Sequence, residues 1–69
     1  MKKKLIEWRK EKGLSREQLG NMIGMTGVTI WKWENENFDP KISQMTALRK
    51  ALNLKKDDVI IVPDDSSLI

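Results

Sequence analysis

The chain has 69 residues, 39% of them hydrophobic and 33% charged, a composition typical of one small globular domain. It contains no cysteine and no histidine, which excludes disulfides and the usual zinc ligand sets, so packing alone must hold the fold. The apolar stretches are much shorter than a membrane span, and the lysine-rich start runs into charged residues. We therefore expect a cytoplasmic protein.

Positive charge is concentrated in the first part of the chain. All 13 Lys and Arg precede residue 57, whereas residues 57–69 contain four aspartates and no base. The two parts therefore carry about +7 and −4. A basic body suits an anionic partner, with nucleic acid first and an anionic membrane surface second.

A first helix is predicted over residues 2–12, which contain neither Gly nor Pro. Leu5, Trp8 and Lys12 lie three or four residues apart and share one helical face. We expect Trp8 to cover the core from this helix. Gly13 then ends the helix.

A second helix begins at Ser15. Ser15 and Gln18 have the spacing of a capping box, in which the hydroxyl and amide side chains satisfy exposed backbone donors. Leu19 and Ile23 supply the apolar stripe of this helix. Gly24 follows where a helix end commonly needs a left-handed residue.

A third helix is predicted from about Gly27 to Asn35, with Thr26 as its N-cap. Ile30 and Trp33 are three residues apart and form its buried side. Trp31 falls on the other side of the helix. The two neighbouring tryptophans are therefore expected to have opposite environments.

A loop ends near Pro40, and a fourth helix is indicated by apolar residues at helical spacing: Ile42, Met45, Leu48, Ala51 and Leu52. The later "VIIV" segment is compatible with a short fifth helix or a short strand. The two aspartates before it favour a helix in its first half, because they would face the positive end of the helix dipole. Pro63 would stop it.

The joint between helices 2 and 3 has the spacing of a helix-turn-helix over residues 16–35, and Gly20 stands where the two helices would cross. The stretch "LSREQLGNMIGMTGVTIWKWENENFDPKISQMTALRKALNL" resembles the phage repressor and Cro-like helix-turn-helix domains, the XRE family, and "WRKEKGLS" resembles their first helix and turn. The resemblance covers roughly residues 5 to 60. Its strongest elements are Arg9, Leu14, Ser15, Leu19, Gly24, Ile30, Glu34, Asn35, Pro40 and "ALNL".

This resemblance implies an all-α, compact five-helix lambda-repressor-like DNA-binding domain over residues 1–62, with a short acidic, frayed tail over residues 63–69. It implies a sequence-specific regulator of transcription, a Cro-like phage or mobile-element repressor that binds double-stranded DNA at an operator as a homodimer. The alternatives are an antitoxin-type autorepressor and a protein-interaction module with the same fold. No cofactor, metal, small-molecule ligand or membrane is expected as a partner, and no group of residues indicates an enzyme.

The candidate site residues fall into three sets. Those on helix 3 that point away from the core would face the bases: Thr26, Gly27, Val28, Thr29, Trp31 and Lys32. Those expected to contact phosphates are Ser15, Arg16, Asn35, Asn37 and Lys41. By resemblance, Arg9 and Glu34 form a partly buried structural ion pair. Lys2, Lys3 and Lys4 are either a solvated terminus or an arm that touches DNA.

Overall fold

The computed structural model describes residues 1–61, which form four α-helices and a two-stranded sheet. In chain order the elements are β1 (Lys2–Lys4), α1 (Leu5–Glu11), α2 (Arg16–Met22), α3 (Gly27–Asn35), α4 (Ile42–Ala51) and β2 (Val59–Ile61). The mostly helical architecture is confirmed, but the count of five helices is not. The predicted tail at residues 63–69, the stop at Pro63 and the boundary at residue 62 lie outside the described residues.

Strands β1 and β2 pair in parallel, with Lys2 opposite Val59. The preference for a helix in the "VIIV" segment is therefore wrong for residues 59–61. Their β-branched side chains suit a strand, and β1 supplies an extended partner. β1 also shortens the first helix, which begins at Leu5, so the three N-terminal lysines belong to a strand. Lys2 and Lys4 are exposed in this strand, and Lys3 is half-buried.

Trp8 fastens β2 to α1. Its indole Nε1 donates a hydrogen bond of 3.0 Å to the carbonyl of Val59, and the side chain is buried. The ammonium group of Lys3 lies 4.9 Å from the centroid of the indole ring, a cation–π contact, and Lys3 also pairs with Glu11. Trp8 thus has the core position expected from the sequence and also links the sheet to the helices.

The turn before β2 is held by Arg49 of α4. Its guanidinium donates to the carbonyl of Asp58 at 2.8 Å and to the carbonyl of Lys55 at 2.7 Å. The backbone N–H of Lys55 donates to the carboxylate of Asp58, and this hydrogen bond lowers the pKa of Asp58 below its usual value. The turn is therefore fixed by side chains as well as by the strand that follows.

Three of the four helices end in a left-handed residue. Gly13 after α1 and Gly24 after α2 have φ of 70° and 72°, and Asn53 after α4 has φ of 54°. After α2, the N–H of Met25 donates to the carbonyl of Gly20 at 2.8 Å, which satisfies a carbonyl that the helix leaves unpaired. Because these ends are defined by local hydrogen bonds, both glycines could be placed from the sequence.

One hydrophobic core joins the helices and β2. Its buried members are Leu5, Trp8, Leu19, Ile30, Trp33, Leu48, Leu52 and Ile60. Ile42, one of the residues that indicate α4, is 88% exposed and lies outside this core. Ile42 is the first residue of α4 and lies about 120° around the helix from Leu48. Within residues 1–61, no helix has the length and apolar character that a membrane span requires.

Candidate nucleic-acid interface

Helices α2 and α3 form a compact unit joined by a tight turn. Ser15 caps α2: its hydroxyl accepts from the N–H of Gln18 at 3.0 Å, and the Gln18 side chain accepts from the N–H of Ser15 at 2.8 Å. Thr26 caps α3 by accepting from the N–H of Thr29 at 3.3 Å. Leu19 of α2 and Ile30 of α3 are fully buried. These contacts fix the angle at which α3 leaves the turn.

Gly20 is the point of closest approach within this unit. A Cβ atom at this position would lie 2.8 Å from the carbonyl carbon and 2.9 Å from the carbonyl oxygen of Thr26. Both are backbone atoms at the start of α3, so they can yield only if the two helices move apart. The absence of a side chain at Gly20 therefore sets the helix separation.

We expect Gly20→Ala to destabilise the protein by about 1–3 kcal/mol, although alanine is the better helix former. Gly24→Ala serves as a comparison, because a Cβ at Gly24 would meet nothing within 4 Å and only the left-handed backbone opposes it. Urea denaturation of the two variants measures the loss. A Gly20→Ala protein as stable as the parent would contradict the close contact.

Gly27 does not have the role that the sequence suggested. A Cβ at this position would lie 3.2 Å from the backbone nitrogen and 3.3 Å from the Cα of Glu17, so it would point at the first turn of α2. The assignment of Gly27 as a base-facing residue is therefore corrected. This glycine allows the starts of α2 and α3 to pack together.

Apart from the contact of Gly27 with α2, the first turns of α3 expose both apolar and polar side chains. Val28 is 63% exposed, Trp31 is 42% exposed, and Thr26 and Lys32 are also exposed, whereas Thr29 is half-buried. Among residues 1–61, Lys32 makes no ion pair. The face therefore offers two apolar side chains and one cation to a ligand.

The opposite face of α3 is anchored in the core by Trp33. Its side chain is 5% exposed, and its ring packs edge to face on Phe38, with the centroids 6.2 Å apart. Trp31 and Trp33 thus lie on opposite sides of α3, as the helical period predicts. Trp33 holds the helix, and Trp31 is left at the surface.

The end of α3 is held by a buried carboxylate shared between two arginines. The side chain of Glu34 has no exposed surface; it accepts from Nε of Arg9 at 2.6 Å and from Nε of Arg16 at 2.9 Å. Arg9 also donates to the carbonyl of Leu14 at 2.9 Å. Arg9 and Glu34 are thus in the contact that the resemblance implies, and this cluster ties together α1, α2 and α3.

Arg16 is the member of this cluster that sequence reasoning did not find. It was expected to contact a phosphate, yet its guanidinium is bonded to Glu34, and its side chain is 39% exposed. Arg16 and Glu34 are 18 residues apart, so no local spacing relates them. Only the packing of α2 on α3 could reveal the pair.

The other phosphate candidates are exposed and have local partners. The side chain of Asn35 donates to the carbonyl of Trp31 at 3.0 Å, and the N–H of Lys41 donates to the side chain of Gln44 at 2.7 Å. Asn37 lies in the loop after α3 with its side chain exposed, and Ser15 is the cap of α2. The structure therefore places these four residues at element ends around α2 and α3.

Two capped helices joined by the four residues 23–26, with one face of the second helix exposed, define a helix-turn-helix protein. A family model described as "Helix-turn-helix" matches residues 5–59, and the chain therefore belongs to this family, the XRE type. The uncharacterized HTH-type transcriptional regulator YgzD of Bacillus subtilis (strain 168) is 30% identical over 66 residues, which cover 96% of this chain and 100% of the relative. No solved structure matches the chain significantly. The family supports DNA-binding regulation of transcription.

Proposed function

We propose that this protein is a sequence-specific regulator of transcription that inserts α3 into the major groove of double-stranded DNA. The observation that carries the proposal is the rigid presentation of one face of α3. Its N-terminus is capped by Thr26, its buried side is anchored by Trp33, and its end is held by Glu34. A helix fixed in this way can enter a groove without reordering.

The flanks of α3 suit the DNA backbone. Asn37 and Lys41 are exposed after α3, and Ser15 lies before α2. Arg16 can also turn to a phosphate, because its side chain is partly exposed and Glu34 would keep its bond to Arg9. Contacts of this type set the position of a protein on duplex DNA, while α3 would read the bases.

More specifically, we propose that the protein is a Cro-like phage or mobile-element repressor that acts in the cytoplasm and binds its operator as a homodimer. Two copies of α3 would enter half-sites about one helical turn apart, roughly 34 Å, so that the operator has two-fold symmetry. The experiment for this part is selection of bound sequences from random duplexes, followed by sedimentation of the complex. Selected sites without symmetry, or a 1:1 complex, would contradict the homodimer.

Salt dependence tests the DNA interface directly. We expect affinity for duplex DNA to fall steeply as salt rises, because each neutralised phosphate releases counterions. Lys41→Ala should weaken binding and reduce the slope of log affinity against log salt by about 1. Lys56→Ala is the matched control, since Lys56 is an exposed lysine in the turn before β2.

The readout is fluorescence anisotropy of a labelled duplex over a range of salt concentrations. A Lys41→Ala slope equal to that of the parent would remove Lys41 from the interface. Binding that does not respond to salt would favour an apolar protein-interaction module over a DNA-binding protein. The antitoxin alternative stays a prediction.

A further inference from the structure

The exposed face of α3 is unusually apolar for a helix that reads base edges. Val28 and Trp31 are three residues apart, so their side chains are neighbours on the helix surface. They are 63% and 42% exposed, while Ile30 and Trp33 of the same helix supply its buried side. The core therefore does not require Val28 and Trp31.

Thr26 and Asn35, at the two ends of this helix, form hydrogen bonds with its own backbone. Thr26 accepts from the N–H of Thr29, and its hydroxyl lies 3.4 Å from the hydroxyl of Thr29. Asn35 donates to the carbonyl of Trp31. Among the described residues of α3, this leaves Lys32 as the long cationic donor on the exposed face. Hydrogen bonding alone gives this face little power to distinguish bases.

The major groove displays one apolar group, the 5-methyl group of thymine. We propose that Val28 and Trp31 determine which DNA sequence is bound by packing on thymine methyl groups, an inference that rests on the proposed function. The recognised DNA would then carry thymines opposite the first turns of α3. Lys32 lies next to Trp31 and would contact guanine or a phosphate beside them.

The test starts from a duplex selected from random sequences and replaces single thymines by deoxyuridine, which removes only the methyl group. At thymines opposite α3 we expect affinity to fall about fourfold for each methyl, the effect of withdrawing one buried methyl group from contact. Deoxyuridine outside the footprint should have no effect. In Val28→Ala and Trp31→Ala variants, the penalty at the contacted thymines should shrink to less than about twofold.

Met22→Ala is the matched control, because Met22 is an exposed apolar residue at the end of α2 and outside α3. It should keep the full deoxyuridine penalty. Circular dichroism of every variant confirms that the fold is retained, since both α3 substitutions are at the surface.

Other results of these binding measurements would overturn different parts of the proposal. Equal binding of the thymine and uracil duplexes would overturn the thymine-methyl proposal and leave DNA binding intact. A penalty that persists in both α3 variants would assign the contact to other residues and overturn the role of Val28 and Trp31. Failure to enrich any duplex would instead overturn the proposed function. If the two α3 substitutions abolish self-association and do not alter the uracil penalty, this face is a contact between copies of the chain, and the proposal is wrong.

Discussion

Glu34→Ala is expected to lower the free energy of unfolding by about 3–5 kcal/mol, a loss comparable with the whole stability of a domain of this size. The carboxylate has no exposed surface and accepts hydrogen bonds from both Arg9 and Arg16. Its removal leaves the guanidinium of Arg9 buried without its charge partner, and the cost of that buried charge outweighs the modest net value of the pair. Urea denaturation followed by far-ultraviolet circular dichroism measures the loss.

Two control variants distinguish the loss of stability caused by disrupting the cluster of Arg9, Arg16 and Glu34 from the effect of removing a charge in general. Glu36→Ala removes an exposed glutamate at the end of the same helix and should change stability by less than about 0.5 kcal/mol. Arg16→Ala should lower the free energy of unfolding by less than about 1 kcal/mol, because Arg16 is partly solvated and Glu34 retains its ion pair with Arg9. If Glu34→Ala is no less stable than Glu36→Ala, the cluster does not hold α3.

Trp33→Ala should destabilise the protein by about 3–5 kcal/mol, the usual cost of truncating a large aromatic side chain in a core. Trp33 is 5% exposed, and its ring contacts Phe38, so the vacated volume lies between α3 and the following loop. Thermal unfolding measures the change. Trp33→Phe keeps a ring at the site and should lose less, which provides a measurable variant if the alanine protein does not fold.

Trp31→Ala is the matched comparison, two residues away on the same helix. Because Trp31 is 42% exposed, its loss should cost less than about 1 kcal/mol in stability while lowering affinity for DNA. The two tryptophans should therefore separate stability from binding. Equal destabilisation by the two substitutions would show that Trp31 also belongs to the core.

The local features of this fold could be predicted from the sequence. The capping box of Ser15 and Gln18, the turn at Gly24 and the opposite sides of Trp31 and Trp33 all depend on residues within about one helical turn of each other. Their hydrogen bonds and the helical period do not depend on distant parts of the chain. For the same reason, the bounds of α3 agree with the prediction.

Other features could not be predicted from the sequence, because each of them depends on contacts between residues far apart in the chain. The "VIIV" segment is compatible with a helix or a strand, and β1, more than 50 residues earlier, decides in favour of the strand. The commitment of Arg16 to Glu34 and the contact of Gly27 with α2 likewise follow from how α2 packs on α3. The sequence by itself determined where α2 and α3 are capped, where the turn between them lies and which of their faces are apolar, because those are short-range effects. The tertiary structure alone decided which strand pairs with which and which side chains remain free for a partner, because both depend on contacts between residues far apart in the chain.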